Sequence, residues 1–318
     1  MNISVLGCGR WGAFIAWYLN KTGHSVMSWG RADSKHLIEL QETRCNGMLT
    51  FPESLELSSD LEKAVSRAEV IVISISCQSL RSFLADVRKY DITGKSFVLC
   101  MKGIEESTGC RLSQIVKDVL GDVPVAVWVG PGHPQNFVNG VPNCMVIDSD
   151  DEELKKKLVG EFSSELIRFY FGTDLIGSEV GAAAKNVIGI AAGMLDGYGY
   201  GCLKGALMSR GTHEVGRLIK ALGGKEISAY GLCHLGDYEA TLFSQYSHNR
   251  MFGEKLVKGE PYTKLAEGVA TCRALVALSD KCGVEMPIVR AVNSIMSGEY
   301  DPADVISSLF LRSIKNEF

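Results

Sequence analysis

The chain has 318 residues, 46% of them hydrophobic and 22% charged, with a net charge of −4 at pH 7. That composition describes a globular protein with ample core, and at ~150 residues per domain the length suggests two domains. The negative balance argues against a general binder of nucleic acid or membrane surfaces. Ten cysteines are scattered without a C-x-x-C pair, so no metal framework appears, and a reducing cytosol is expected.

Ile3 to Leu6 reads as a short buried strand with no leader before it, and GCGRWG (Gly7 to Gly12) follows at once. A helical stretch comes next and stops at Gly23, and Ser25 to Trp29 reads as a second strand. A G-x-G-x-x-G between strand and helix is the dinucleotide fingerprint in its required context. Gly7 permits the tight turn, Gly9 lets backbone N–H groups approach a pyrophosphate, and Gly12 lets the helix pack on the strand. The helix N-terminus faces the phosphates. No acidic residue stands at the tip of the second strand for a ribose 2′-hydroxyl. Arg31, with Lys35 and His36 nearby, is placed to meet a 2′-phosphate, so NADP is expected beside NAD.

Glu69 to Ser74, Ser96 to Met101 and Val125 to Val129 are near-continuous apolar runs, as parallel strands buried on both faces should be. Helical patterns at Gln78–Tyr90 and Arg111–Leu120 separate them. Asn143–Ile147 and Ile167–Phe171 read as further strands around a helix at Asp151–Phe162. Ligands of an open α/β sheet gather beyond the carboxyl ends of its strands, which draws attention to Lys102-Gly103 and Gly130-Pro131.

From Gly177 the period becomes helical. Helices are expected at Leu203–Leu222, Tyr262–Cys282, Pro287–Met296 and Pro302–Ile314. The expected architecture is therefore a Rossmann-type doubly wound α/β domain over residues 1–176, followed by an all-α domain over 177–318. Between Val180 and Met194 only Lys185 and Asn186 are neither small nor apolar. A helix of that length and irregularity is expected to be too short to span a bilayer. A buried ammonium is costly unless paired or used. Gly181 and Gly189, one turn before and after Lys185, weaken a helix by about 1 kcal/mol each relative to alanine, so something is expected to pack closely there. Two readings fit this stretch: the wall of an active site, or a lysine snorkelling from a helix seam.

With these motifs and GLCHLGDYEATLFSQYSHNRMFG (Gly231 to Gly253) in view, the chain resembles the bacterial-type NAD(P)-dependent sn-glycerol-3-phosphate dehydrogenases. The AAKNV segment, the GDxxxT pattern and AEGVAT (Ala266 to Thr271) carry the resemblance over nearly the whole chain. It implies interconversion of glycerol 3-phosphate and dihydroxyacetone phosphate in phospholipid precursor synthesis, with Lys185 as the proton acceptor. It also implies that Lys102 touches substrate and cofactor, and that Gly130, Gly132, Asn186, Asp237, Thr241, Ser247, His248 and Asn249 belong to the substrate site. Arg10, Trp11, Arg31, Pro134, His248, Leu265 and Glu267 match cofactor contacts, beside Gly7, Gly9 and Gly12.

Three departures stand out from the family pattern. His248 replaces an arginine that serves both ligands, with Arg250 as a possible substitute two residues on. Gly132 and Pro134 replace a hydroxyl residue and an alanine, and Tyr238 replaces leucine. Lys185 needs a pKa brought toward neutrality: burial and Lys102 would lower it, and Asp237 would orient it. Asp237 could equally cap a helix after Gly236, while Glu179 and Asp196 are expected to be caps or surface groups. Rival readings are a related two-domain dehydrogenase for another hydroxy acid or phosphorylated alcohol, and a non-catalytic NAD(P)H sensor. The expected partner is a small phosphorylated molecule in the cytoplasm, without nucleic acid or an integral membrane segment. The sequence leaves the oligomeric state open, a homodimer included.

Overall fold

The computed structural model describes residues 1–314. The strands are β1 (Asn2–Leu6), β2 (Ser25–Trp29), β3 (Glu56–Ser58), β4 (Val70–Ile73), β5 (Ser96–Leu99), β6 (Val125–Val129), β7 (Asn143–Asp148) and β8 (Ile167–Phe171). They form one sheet in the order β3-β2-β1-β4-β5-β6-β7-β8. All neighbours are parallel except β6 and β7, so the two expected last strands run parallel to each other but reversed against the rest. The apolar runs behave as their composition requires: β4 and β6 are buried at every position.

Helices α1 (Arg10–Lys21), α2 (Lys35–Thr43), α3 (Leu61–Arg67), α4 (Leu80–Val87), α5 (Leu112–Leu120), α6 (Pro134–Val138) and α7 (Glu152–Phe162) cover the two faces. Asp60 and Asp151 start α3 and α7 by accepting from backbone N–H groups three residues on, a side-chain cap that open helix ends favour. The connections β1–β2–β3 run to one side of β1 and β4 lies on its other side. This is the switch point at which ligands of such sheets bind.

The second half is helical: α8 (Leu175–Gly197), α9 (Lys204–Ala221), α10 (His248–Val257), α11 (Gly268–Cys282), α12 (Pro287–Ser297) and α13 (Pro302–Phe310). Helix α8 is its axis. It is 23 residues long, longer than expected, and by length and composition alone it could cross a membrane. In this fold 94% of its apolar window is buried inside the protein.

Its glycines are where neighbours come closest. A Cβ on Gly193 would stand 1.9 Å from the Arg250 carbonyl oxygen, and one on Gly253 would stand 2.0 Å from that of Ile190, so α8 and α10 interlock backbone to backbone. Around Lys185 the same holds: a Cβ on Gly189 would meet the Thr241 methyl at 2.8 Å, and one on Gly181 the Cys233 sulfur at 3.1 Å. Helix α11 begins six residues later than the period suggested, because Leu265 to Glu267 form part of a cleft wall instead. Helix α13 ends at Phe310, and residues 315–318 of the expected second domain lie outside the described residues.

Two expectations are corrected here. Glu179 is not a cap or surface group: it is 4% exposed, ion-pairs with Arg111, and accepts from both the N–H and the hydroxyl of Ser113 at 2.7 Å. It ties α8 to the start of α5. Asp196 likewise receives Lys204 at 2.7 Å and Arg250 at 2.5 Å.

Candidate active site

A cleft of about 940 Å³ opens at the switch point and runs from the Gly7–Gly12 turn to Lys185. At one end Gly7 has a φ of +118°, and a Cβ on it would meet the Ser74 carbonyl at 2.1 Å. Gly12 lies against the Gly7 carbonyl, where a Cβ would fall 1.9 Å from the oxygen. A Cβ on Gly9 would have nothing within 4 Å, so its backbone faces open cleft just before the N-terminus of α1. Room at Gly9, a helix N-terminus and a close-packed turn fit a dinucleotide pyrophosphate.

Arg31 also lines the cleft, but its side chain is 77% exposed and its Nε lies 3.5 Å from Asp33 Oδ1. Ser34 and His36 are on the wall, while Lys35, at the start of α2, is not.

At the other end, Lys102 follows β5 and Lys185 projects from the middle of α8. Both ammonium groups approach one oxygen: each Nζ lies 2.6 Å from Asp237 Oδ2. Lys102 also donates to the Gly130 carbonyl at 2.9 Å, and Lys185 to the Thr241 hydroxyl at 2.8 Å. That hydroxyl in turn donates to the Asp237 carbonyl at 2.7 Å, closing a ring of contacts around the carboxylate. Asp237 is fully buried in a short turn at Leu235–Asp237 and caps no helix, contrary to the alternative drawn from Gly236.

Lys185 is 7% exposed. Burial pushes its pKa down to about 7, with Asp237 pulling it up and Lys102 pushing it further down. Two ammonium groups on one carboxylate leave an excess positive charge, which suits an anionic ligand.

The residues expected at the site line this cleft, except Lys35 and Gly130, and the Gly130 carbonyl accepts from Lys102. Asn186 follows Lys185 on α8. Ser247 caps α10 by accepting from the Arg250 N–H at 3.3 Å, which puts His248 and Asn249 in the first turn of that helix. His248 Nδ1 is 2.6 Å from the Tyr262 hydroxyl, and burial with nearby Arg10 and Lys264 pushes its pKa down. Asn249 Oδ1 accepts from the Gly268 N–H at 3.0 Å. Pro134 opens α6, Trp11 lies in the first turn of α1, and Leu265 and Glu267 close the wall opposite.

Arg250 does not stand in for the missing arginine. It is spent on Asp196, on Glu254 at 3.2 Å and on the Ser244 carbonyl at 3.1 Å, outside the cleft lining. The structure adds wall residues that the sequence reading passed over: Ser74 to Ser76 after β4, Phe83, His133 and Tyr246. The serines had a signal, a polar break directly after an apolar strand at the switch point. Tyr246 had none.

A nucleotide-binding α/β sheet joined to a helical unit, with a buried lysine where the two meet, defines a two-domain pyridine-nucleotide dehydrogenase. Two family models match the chain: "NAD-dependent glycerol-3-phosphate dehydrogenase N-terminus" over residues 2–155 and the corresponding C-terminus over 174–307. The chain belongs to that family. It is 36% identical to the glycerol-3-phosphate dehydrogenase [NAD(P)+] of Pelodictyon phaeoclathratiforme, covering 100% of this chain and 99% of the relative. It is 35% identical to the enzyme of the same name from Clostridium botulinum, covering 99% of each. The crystal structure of glycerol-3-phosphate dehydrogenase from Coxiella burnetii superimposes with a TM-score of 0.91 over 98% of this chain and 99% of that one, at 28% identity.

Proposed function

We propose that this protein interconverts sn-glycerol 3-phosphate and dihydroxyacetone phosphate with NAD or NADP. The observation that carries the reading is Lys185: a buried ammonium, 2.6 Å from Asp237 and with a pKa near neutrality, in the same cleft as the glycine turn. The bound nicotinamide supplies the hydride chemistry at the carbinol carbon. In the oxidation direction neutral Lys185 takes the proton of the carbinol oxygen. In the reduction direction protonated Lys185 returns it and stabilises the developing oxyanion. Asp237 orients Lys185 and holds Lys102, whose charge favours the anionic substrate.

Asn186, Thr241, Ser247, His248 and Asn249 hold the substrate, with the phosphate at the first turn of α10, where partial positive charge gathers. Backbone at Gly130 and Gly132 completes that side. Gly7, Gly9, Arg10, Trp11, Gly12, Arg31, Pro134, Leu265 and Glu267 hold the cofactor, with Lys102 and His248 shared between the two ligands. In this reading residues 1–176 form the cofactor domain and 177–318 the substrate domain, acting in the cytoplasm on a small phosphorylated molecule.

The test is oxidation of NADH and NADPH by the purified protein with dihydroxyacetone phosphate. Saturable turnover is expected. Turnover only with another carbonyl compound would assign the site to a related dehydrogenase, and cofactor binding without turnover on any carbonyl substrate would make it a sensor.

A further inference from the structure

The turn that carries Asp237 is braced from behind by two fully buried side chains, His234 and Tyr238, and neither lines the cleft. His234 Nδ1 lies 2.8 Å from the Gly181 carbonyl, which only accepts, so Nδ1 carries the proton and Nε2 is left as an acceptor. The Tyr238 hydroxyl lies 2.6 Å from Nε2 and donates to it. Gly181 stands on α8 one turn before Lys185, so the imidazole ties the turn to the helix that carries the lysine.

We propose that the Tyr238–His234 hydrogen bond is a positioning device for the reaction, holding the Asp237 carboxylate at the depth where it meets Lys185. The inference rests on the reading of Lys185 as the proton carrier.

The backbone passes the brace on to the site. The Asp237 N–H donates to the His234 carbonyl at 3.0 Å, and the Thr241 N–H donates to the Tyr238 carbonyl at 3.0 Å. Tyr238 thus sits between the two groups that Lys185 touches, Asp237 at 2.6 Å and Thr241 at 2.8 Å. Room for both side chains is provided by glycines. A Cβ on Gly181 would stand 3.1 Å from the His234 Cβ, and one on Gly211 of α9 would stand 3.3 Å from the Tyr238 hydroxyl. The two rings meet edge to face, with centroids 4.8 Å apart at 65°. Leucine, the usual family residue at 238, has no hydroxyl and would leave a buried acceptor unpaired, which is destabilising.

The test breaks this one bond from each side. Tyr238→Phe removes the hydroxyl and keeps the ring. His234→Asn keeps an N–H for the Gly181 carbonyl and removes the acceptor for Tyr238, and it serves alone if the phenylalanine variant fails to fold. The readouts are kcat with dihydroxyacetone phosphate and NADPH, the pH at which kcat/KM turns over, and the melting temperature. Asp237 and Lys102 face Lys185 directly, and His133 and His234 feel its charge, but both histidines are pushed down to about 4 and stay neutral across this range. A loosened Asp237 pulls less on the lysine proton, so the inflection should move to lower pH. Each variant should lower kcat about tenfold, within the roughly 10²-fold that a misplacement of about 1 Å can cost. The double variant should cost no more than either single one, because both remove the same bond. A lower melting temperature with kcat and inflection unchanged would make the pair a packing feature and overturn the role, as would additive losses in the double variant. Absence of wild-type turnover would overturn the reading of Lys185 as well, so the two failures are distinguishable.

Discussion

Lys185 and Asp237 lie 52 residues apart in the chain, and their Nζ and Oδ2 atoms are 2.6 Å apart in the fold. The pairing competes with burial and with Lys102 over one proton, and the balance leaves Lys185 with a pKa of about 7. Reduction of the ketone needs Lys185 protonated, so kcat/KM in that direction should fall as pH rises through about 7, while the oxidation direction should rise. Asp237→Asn removes the attraction that holds the pKa up, so both limbs should move to lower pH as turnover drops. Lys185→Ala should cost at least ~10²-fold in turnover with cofactor affinity kept. A pH profile that Asp237→Asn leaves in place would refute this balance.

Arg31 stands at the cofactor end of the cleft, mostly exposed and loosely paired with Asp33. Arg31→Ala should weaken NADPH by about tenfold and leave NADH nearly unchanged, the scale of one charge-assisted hydrogen bond. Asp33→Ala should release Arg31 and tighten NADPH. Fluorescence titration with the two cofactors decides; equal losses for both would show that Arg31 does not read the 2′-phosphate.

The substitution at position 248 makes a separate claim on KM. The imidazole is pushed toward neutrality in the free protein, so it meets a phosphate dianion with less charge than the family arginine would. His248→Arg should lower KM for dihydroxyacetone phosphate by up to ~10-fold, about 1.4 kcal/mol. Arg250→Ala should instead lower thermal stability, by unpairing Asp196 at 2.5 Å, and leave KM near wild type. A large KM effect from Arg250→Ala would place the phosphate elsewhere.

Glu214 offers a stability prediction outside the cleft. Its carboxylate is 1% exposed and accepts from the N–H groups of Ile288 and Val289, at 2.9 and 3.0 Å, at the start of α12. Burial nevertheless dominates and raises its pKa from 4.5 to about 7. A raised carboxyl pKa means that folding favours the protonated form. The contribution is full below pH 4.5 and is lost as pH rises through about 7. Glu214→Gln removes this titration. The melting-temperature advantage of wild type over the variant should therefore shrink between about pH 5 and pH 8. A constant difference would show that Glu214 does not titrate in this range.

Much of the nucleotide half was legible because its signals are local. A glycine turn between a strand and a helix has a meaning within a dozen residues, and apolar runs show strands buried on both faces. Short elements with weak periods, β3, α3 and α6, escaped that reading, as did the reversal of β7, because strand direction is set by how the chain returns and not by composition. Lys185 was conspicuous for a local reason too: a charge in an apolar helix flanked by glycines.

What the glycines faced only the tertiary structure decided. It put Thr241 and Asn249 over Gly189 and the backbone of α10 over Gly193. Glu179 read as a surface group because an acidic residue at a helix start usually is one; Arg111 and Ser113, over 60 residues earlier, make it a buried strut. Arg250 seemed free to bind an anion until the fold delivered Asp196 to it. The sequence by itself determined which groups this chain carries and what local backbone they sit on. Which charges meet depended on long-range packing, because a pairing energy exists only once two distant segments share a low-dielectric space.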